Sequence, residues 1–403
     1  MLASCMEMRA APVVSTFDRG GLVLLFLGYV SSAMFGLSLG VALPQFMVEF
    51  SINVTQAGWL YSAPLWSLAI LLTPSGYFAD RFGRKRVLLW GYLLLFIGVT
   101  ATGFSRSYWG CLAALATGGA GLGLLVPPYY AMVGEALKRA RGLAVGLAAG
   151  IYNLGGSVGS VLLGIFVSQQ HWRFAYYIMG AFIFLMMVAL FVRLRPPPTQ
   201  TESNTALNVR SSFRNVIKQR NVFVSSISLF VASFSFYAAA AWLPTFLLSF
   251  VGVDAAGVGV IFGSFMLVGL VASPALGALS DRIRRRWVVC LSGIASAAVS
   301  IAMLTTKYSF WPSVAYSIML GFLLVPAWNL LITMGQESVR EEFVTSVTGL
   351  IQTLGLVGSA VGPIIAGSLI AALGINQGLL CSITLPAVIY AVFALTAVET
   401  PRR

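Results

Sequence analysis

Charged residues are scarce in this 403-residue chain: Lys, Arg, Asp and Glu together account for 9% of it, against 58% for hydrophobic residues. A soluble domain needs a more charged surface, so this composition excludes an ordinary globular protein. The chain has four cysteines and one histidine, His171. The apolar runs contain no His/Asp/Glu cluster and no spacing of metal ligands, which disfavours an enzyme or a metalloprotein. We therefore predict a membrane protein without catalytic residues, cofactor or metal ion.

Long apolar runs are the dominant feature of the sequence. A helix needs about 20 mostly apolar residues to cross the hydrocarbon core of a bilayer, and twelve runs meet this requirement. The sequence therefore predicts an all-α integral membrane protein with twelve transmembrane helices. The predicted spans are residues 20–43, 56–79, 86–105, 108–134, 142–167, 172–192, 222–247, 256–279, 287–305, 311–335, 344–372 and 378–397.

The polar gaps between these runs alternate between basic and nearly free of positive charge. Of the 25 Lys and Arg residues, all but Arg106, Arg173 and Lys307 lie in the terminal segments and in every second gap. Cytoplasmic loops of membrane proteins carry such an excess of cations. Both termini are therefore predicted to be cytoplasmic, in a plasma or inner membrane. We attribute the net charge of +13 to loops beside anionic lipid headgroups, not to nucleic-acid binding.

The two halves of the sequence repeat one pattern. Leu124-Leu-Val-Pro127 in the fourth span matches Leu323-Leu-Val-Pro326 in the tenth. The only long hydrophilic gap lies between the sixth and seventh spans and contains three consecutive prolines. A repeat of this length predicts two parallel six-helix units. We assign residues 1–192 to an N-terminal bundle, 193–221 to a cytoplasmic linker and 222–403 to a C-terminal bundle.

The loops after the second and eighth spans carry the same motif. The first reads Gly76-Tyr-Phe-Ala-Asp80-Arg81-Phe-Gly83-Arg84-Lys85-Arg86, and the second reads Gly277-Ala-Leu-Ser-Asp281-Arg282-Ile-Arg284-Arg285-Arg286. A glycine, an Asp-Arg pair and a run of cations at this place resemble the loop motif of the major facilitator superfamily. The resemblance covers essentially the whole chain and implies two pseudo-symmetric six-helix bundles. The second copy departs from the pattern, because Arg284 stands where the first has Gly83.

In that superfamily the motif clamps the two bundles together on the cytoplasmic side. The resemblance therefore implies that Asp80 with Arg84, and Asp281 with Arg285, are gate elements. Glu135, at the end of the fourth span, is expected to pair with Arg139 or Arg141 as part of the same gate, although a role as a proton site stays open.

A second resemblance concerns the solute. Arg139-Ala-Arg141-Gly-Leu-Ala-Val-Gly146 is similar to the start of the fifth helix in monocarboxylate and oxalate/formate carriers. Those carriers neutralise a carboxylate with an arginine in the eighth helix, but this chain has Ser273 in the matching Val-Ala-Ser-Pro context. The glycine ladder of the fifth span is similar to the antiporter motif, but Ser160 replaces its proline. Antiport is therefore not implied.

The acidic residues, like the basic ones, all lie in gaps or at span ends. Intramembrane carboxylates serve proton relays and counter-ions, so their absence disfavours proton coupling through a central Asp or Glu. A central site must then use neutral hydrogen-bonding groups and aromatic faces. On the helices that line superfamily cavities, the candidates are Tyr29, Ser32, Tyr130, Tyr152, Asn153, Tyr237, Trp328, Asn329 and Gln352. Tryptophans at span ends are assigned instead to the bilayer interface: Trp109, Trp172, Trp287 and Trp311.

We therefore expect a secondary transporter that moves a small organic solute across the membrane by alternating access. The fifth-helix resemblance favours an organic acid, whereas the uncharged spans favour a neutral or lipophilic compound, as in a drug exporter. A membrane sensor built on the same scaffold, without transport, is a further alternative. The expected partners are the solute and membrane lipids, and the chain is expected to be a monomer.

Overall fold

The computed structural model describes residues 19–136, 141–194, 219–306, 309–340 and 343–398. Within these ranges the chain forms twelve helices, α1 to α12, and eight of them are continuous over their whole length. The continuous helices are α1 (Arg19–Glu49), α2 (Val54–Phe82), α3 (Arg84–Phe104), α4 (Tyr108–Ala136), α5 (Arg141–Ser168), α6 (Trp172–Arg193), α9 (Arg285–Thr305) and α11 (Val344–Leu373).

The four remaining helices change geometry along their length. A π-helical turn, Leu247–Val251, follows α7 (Arg220–Phe246). The other three are α8 (Ala255–Leu267 and Gly269–Arg282), α10 (Phe310–Leu324 and Ala327–Gln336) and α12 (Ile375–Leu379, π-helical Leu380–Thr384 and Leu385–Leu395).

The predicted all-α class with twelve spans is confirmed. Eleven of the helices in the described ranges are long and apolar enough to cross a membrane. The exception is α2, which has 29 residues but carries Ser, Thr, Pro and Gly among its apolar side chains. Most of the predicted linker lies outside the described residues, since α6 ends at Arg193 and α7 begins at Arg220.

Matching side chains start α2 and α8, the second helix of each half. The side chain of Asn53 accepts a hydrogen bond from the backbone N–H of Gln56 at 2.8 Å, and the Gln56 side chain accepts one from the N–H of Asn53 at 3.0 Å. Asp254 caps α8 by accepting from the N–H of Gly257 at 3.2 Å. Such caps satisfy N–H groups that have no partner within the helix. The side that carries residues 50–53 is predicted to be external and is called the external side below.

Glycines bring helices of one half into backbone contact. A β-carbon on Gly159 of α5 would lie 2.5 Å from the carbonyl oxygen of Met34 in α1. In the other half, a β-carbon on Gly362 of α11 would lie 2.6 Å from the carbonyl oxygen of Phe234 in α7. Small residues permit this approach, which gives dispersion contact where no hydrophobic driving force separates helix from lipid. The glycine ladders therefore pack α5 on α1 and α11 on α7.

The interruptions of α8 and α10 lie against each other in the C-terminal half. Pro326 has no N–H to continue the hydrogen-bond ladder of α10, and its ring crowds the preceding turn. A β-carbon on Gly269, just after the interruption of α8, would lie 2.7 Å from Cγ1 of Val325. In the N-terminal half, α4 runs through Pro127 without interruption. The two halves thus share their helix order but differ in helix continuity.

One prediction about the bilayer interface is wrong. Trp109, Trp287 and Trp311 are exposed, as expected of interfacial side chains, but Trp172 is only 1% exposed. Its ring packs against Phe46 with the ring centroids 4.7 Å apart. A polar partner inside the bundle, described below, accounts for this burial.

Candidate functional site

Four tyrosines from the N-terminal half form a cluster around Tyr29. The ring of Tyr29 stacks on that of Tyr129 with centroids 3.9 Å apart, and lies 6.0 Å from Tyr130 and 5.3 Å from Tyr152. These residues belong to α1, α4 and α5. Three of the predicted candidates are therefore brought together. Aromatic pairs at these separations add to the stability gained by burial.

Two tyrosines that sequence reasoning missed extend this group. Tyr129 is fully buried in the cluster, and Tyr61 of α2 is 1% exposed. The phenol groups of Tyr61 and of Tyr237, from α7 in the other half, are within electrostatic range of the Tyr152 phenol. The adjacent tyrosines at 129 and 130, in the middle of an apolar span, were the available sequence signal for Tyr129. No comparable signal marks Tyr61.

Two further candidates of the N-terminal half use their polar groups locally. The hydroxyl of Ser32, which is fully buried, donates to the carbonyl oxygen of Tyr29 at 2.8 Å. The amide nitrogen of Asn153 donates to the carbonyl oxygen of Ala149 at 3.0 Å. A β-carbon on Gly269 would lie 2.8 Å from that nitrogen. Asn153 therefore lies against the interruption of α8, at the junction between the halves.

The candidates of the C-terminal half are half-buried. Tyr237, Trp328, Asn329 and Gln352 all have intermediate exposure. Trp328 lies between α10 and α11, since a β-carbon on Gly355 would lie 3.2 Å from its ring. Among the described residues, the side-chain amides of Asn329 and Gln352 make no hydrogen bond to the protein. Their amides are thus free to donate and accept.

On the external side the two halves meet through small residues. A β-carbon on Gly58 of α2 would lie 2.7 Å from the carbonyl oxygen of Pro363 in α11. The backbones of α5 and α8 approach as closely, because a β-carbon on Gly259 would lie 2.6 Å from the carbonyl oxygen of Ser160. Gly40 of α1 likewise abuts Ala240 of α7. These three contacts are called the external seal.

On the opposite side, the charged candidates pair within each half. Arg84 forms an ion pair with Glu135, which joins α3 to α4. Nη2 of Arg285 lies 2.7 Å from Oε1 of Glu337 and 2.9 Å from Oδ1 of Asp281. The predicted association of Asp281 with Arg285 is therefore present. Asp80 is exposed and, within the described part of the chain, makes no ion pair; Arg84 contacts Glu135 instead.

Two of the expected gate pairings fall outside this description. Arg139 lies outside the described residues, and nothing is described of the Arg141 side chain beyond the start of α5. The gate expected between Glu135 and either arginine therefore stays a prediction.

A polar cluster ties the external ends of α1 and α6 together. Nε1 of Trp172 donates to Oε2 of Glu49 at 2.5 Å, and Nη2 of Arg173 lies 2.5 Å from Oε1 of the same carboxylate. The Arg173 guanidinium also lies 4.4 Å from the Trp172 ring centroid and donates to the carbonyl oxygen of Ser105 at 2.7 Å. This network explains why Trp172 is buried although it begins a span. Among the described residues there is no group of three or more potential metal ligands.

The chain belongs to the Major Facilitator Superfamily, which it matches over residues 25–363 and again over residues 225–403. It is 25% identical over 351 residues to a 3-(3-hydroxy-phenyl)propionate transporter of Escherichia coli K12, covering 85% of each chain. It is 24% identical over 358 residues to a cis,cis-muconate transport protein of Acinetobacter baylyi, covering 84% of each. Among solved structures, nucleoside transporter NupG superposes with a TM-score of 0.79 at 13% identity, over 94% of this chain and 99% of that one. The chain is therefore a multi-pass membrane protein with the fold of transporters.

Proposed function

We propose that this protein is a secondary transporter that moves a small organic solute across a plasma or inner membrane by alternating access. The external seal is the observation that carries the proposal. It closes the junction between the halves on one side through backbone contacts, while the ion pairs on the other side each stay within one half. This is the arrangement of an inward-facing state. Two rigid halves joined by small-residue contacts can rock about a site at their junction.

The proposed orientation places both termini in the cytoplasm, with residues 1–192 and 222–403 as the two moving units of a monomer. The solute would bind at the junction, among the aromatic and amide side chains proposed from the sequence. An organic acid is the first solute class to consider. The fifth-helix resemblance and the names of the hydroxyphenylpropionate and muconate transporters support this class.

A neutral compound is the second class, and the placement of charge favours it. In the described helices, acidic and basic residues lie at the ends, whereas the half-buried candidates offer phenol, indole and amide groups. An ionised carboxylate buried among them would have no countercharge, and burying an unpaired charge is costly. An exporter of lipophilic compounds would fit such a site.

Uptake into proteoliposomes tests the proposal. The purified chain is reconstituted and offered labelled organic acids, sugars, amino acids and lipophilic cations, with and without an imposed pH gradient. Protein-dependent flux of any of these solutes supports transport, and stimulation by an inward proton gradient would identify acid–proton symport. Flux no higher than in protein-free liposomes for the whole panel would favour the sensor, which binds a solute but does not carry it.

A further inference from the structure

Phenol groups from both halves meet directly beneath the external seal. A β-carbon on Gly36 would lie 2.8 Å from the Tyr152 hydroxyl, and Gly36 is one helical turn below Gly40 of the seal. Tyr237 is nearly one turn below Ala240, the partner of Gly40. Since a helix rises about 1.5 Å per residue, Tyr152 and Tyr237 reach the same depth from opposite halves.

Tyr61 completes this layer from α2. It lies nearly one turn below Gly58, which contacts Pro363 in the seal. The Tyr61 phenol group is within electrostatic range of those of Tyr152 and Tyr237. Three helices from two halves therefore place hydroxyl groups at one level. We call Tyr61, Tyr152 and Tyr237 the phenol layer.

Hydrogen-bond donors at and near this layer have no partner in the described protein. The Tyr61 hydroxyl is buried without one, as is the hydroxyl of Tyr129 in the adjoining cluster. Nε1 of Trp66, further along α2 toward the cytoplasm, is a third such donor. Buried polar groups in native proteins are nearly always satisfied. An acceptor supplied by a bound solute would satisfy the phenol layer.

The surroundings of the layer restrict the solute further. The rings of Tyr130, Tyr152, Tyr237 and Trp328 are half-buried and offer aromatic faces, which pack best against a planar ring. The charged residues of the described helices lie at their ends, at least three helical turns from the layer. An anionic group at this depth would lack a partner, whereas an amide, ketone, ester or undissociated acid would not need one.

We infer that the phenol layer binds a planar aromatic solute through an uncharged hydrogen-bond acceptor, and that Tyr61 and Tyr237 donate to it from opposite halves. This inference rests on the proposed function and names its solute class. A solute bound in this way touches both halves, so its affinity depends on their relative position. Such differential contact is what couples binding to a conformational change.

Three small probes separate the parts of the inference. Benzamide has both the ring and a neutral acceptor, benzoate has the same shape with a negative charge at neutral pH, and cyclohexanecarboxamide keeps the amide without an aromatic face. Binding of each to the purified full chain is measured by titration calorimetry. We expect benzamide to bind at least about tenfold more tightly than either of the others, a difference of about 1.4 kcal/mol.

Single-hydroxyl variants test the donors. Tyr61→Phe and Tyr237→Phe remove one hydrogen bond each and should weaken benzamide binding about fivefold. Tyr176→Phe is the matched control, because the Tyr176 hydroxyl is also buried without a partner in the described chain. It lies instead beside Phe46 and Trp172 at the external end of the N-terminal half. This variant should bind benzamide like the parent protein, and thermal unfolding shows whether each variant is folded.

Three results would overturn the inference: benzoate binding as tightly as benzamide, an equal loss of affinity in Tyr176→Phe, or no binding of benzamide. Uptake assays on the same preparation keep the proposed function separate. Flux of another solute, with no binding of benzamide, would leave transport established and the phenol layer without the proposed role. Absence of flux together with tight benzamide binding would overturn transport and leave the binding site.

Discussion

Nη2 of Arg285 lies 2.7 Å from Oε1 of Glu337, so the beginning of α9 is held against the end of α10. Arg84 and Glu135 join α3 to α4 in the same way in the other half. A cation at a helix N-terminus and an anion at a C-terminus each oppose the helix dipole. Pairing the two across neighbouring antiparallel helices cancels both penalties. The repeat has therefore preserved an arrangement that stabilises each half on its cytoplasmic side.

Loss of one carboxylate from this arrangement should destabilise the C-terminal half slightly. Glu337→Gln removes the charge that Arg285 contacts, and the Glu337 side chain is 47% exposed. Because solvent screens a pair of this exposure, we expect a loss of at most about 1 kcal/mol. Thermal unfolding in detergent measures it. Arg282→Gln is the control on the same loop, since Arg282 is exposed; an equal loss there would show that the Arg285 pair contributes nothing of its own.

Asp80 should affect turnover more than stability. It is exposed and makes no ion pair within the described chain, so its proposed clamp would form only when the halves close on the cytoplasmic side. Asp80→Asn should then slow transport by disfavouring that state, with little change in solute affinity measured in the inward-facing form. Comparing initial uptake rates with binding isotherms tests this. Unchanged turnover would remove the clamp role.

A side chain larger than hydrogen should wedge the external seal open. Gly259→Val places carbon atoms against the backbone of α5, where Ser160 O and the Cα of Gly164 lie within 2.9 Å of the new β-carbon. Since backbone atoms on both sides cannot move aside cheaply, we expect transport to fall more than about tenfold. Gly146→Val is the matched control on α5, because no atom lies within 4 Å of its β-carbon position.

Accessibility shows whether that loss comes from the seal. In a background without the four native cysteines, Ala241→Cys is fully buried beneath the seal. A membrane-impermeant alkylating reagent applied from outside should modify it faster when Gly259→Val is present. If the wedge variant loses transport while Ala241→Cys stays protected, the halves close by contacts other than these.

Much of the fold could be predicted because bilayer physics acts on sequence locally. Apolar length and cation asymmetry located twelve spans, and the match between Pro127 and Pro326 exposed the repeat. The difference between those two prolines could not be predicted. α4 continues through Pro127 and α10 stops at Pro326, where Val325 packs on Gly269 of α8. Tertiary contacts decide whether a proline interrupts a helix, and one sequence does not reveal them.

The candidate site shows the same limit. Residue type singled out Tyr29, Tyr130 and Tyr152, and the structure brings them together. It could not separate Ser32, which bonds to its own helix, from the half-buried Gln352. Which side of a helix faces a neighbour depends on helix rotation, and nearly uniform apolar spans carry no clear amphipathic pattern to fix it.

Removal of the free amide on α11 should impair solute recognition. Gln352 is half-buried and its side chain makes no hydrogen bond in the described protein, so Gln352→Ala should reduce transport of an identified substrate about fivefold through lost hydrogen bonding. Thr353→Ala, one residue further along, changes an exposed side chain whose hydroxyl bonds to the carbonyl oxygen of Gly349. It should leave uptake unchanged. Equal uptake by both variants would exclude Gln352 from the site, and the same test applies to Asn153→Ala.

Trp172 should contribute to stability and not to recognition. Its indole N–H donates to the Glu49 carboxylate at 2.5 Å, and its ring is buried beside Phe46. Trp172→Phe keeps most of the packing but leaves a charged acceptor with one donor fewer, which should cost about 1–3 kcal/mol of unfolding free energy. Trp109→Phe is the control, since Trp109 is 73% exposed and should change stability little. Thermal unfolding and solute binding are measured on both variants. Because the cluster joins α1 to α6 within one half, far from the phenol layer, a loss of affinity in Trp172→Phe without a loss of stability would contradict this assignment.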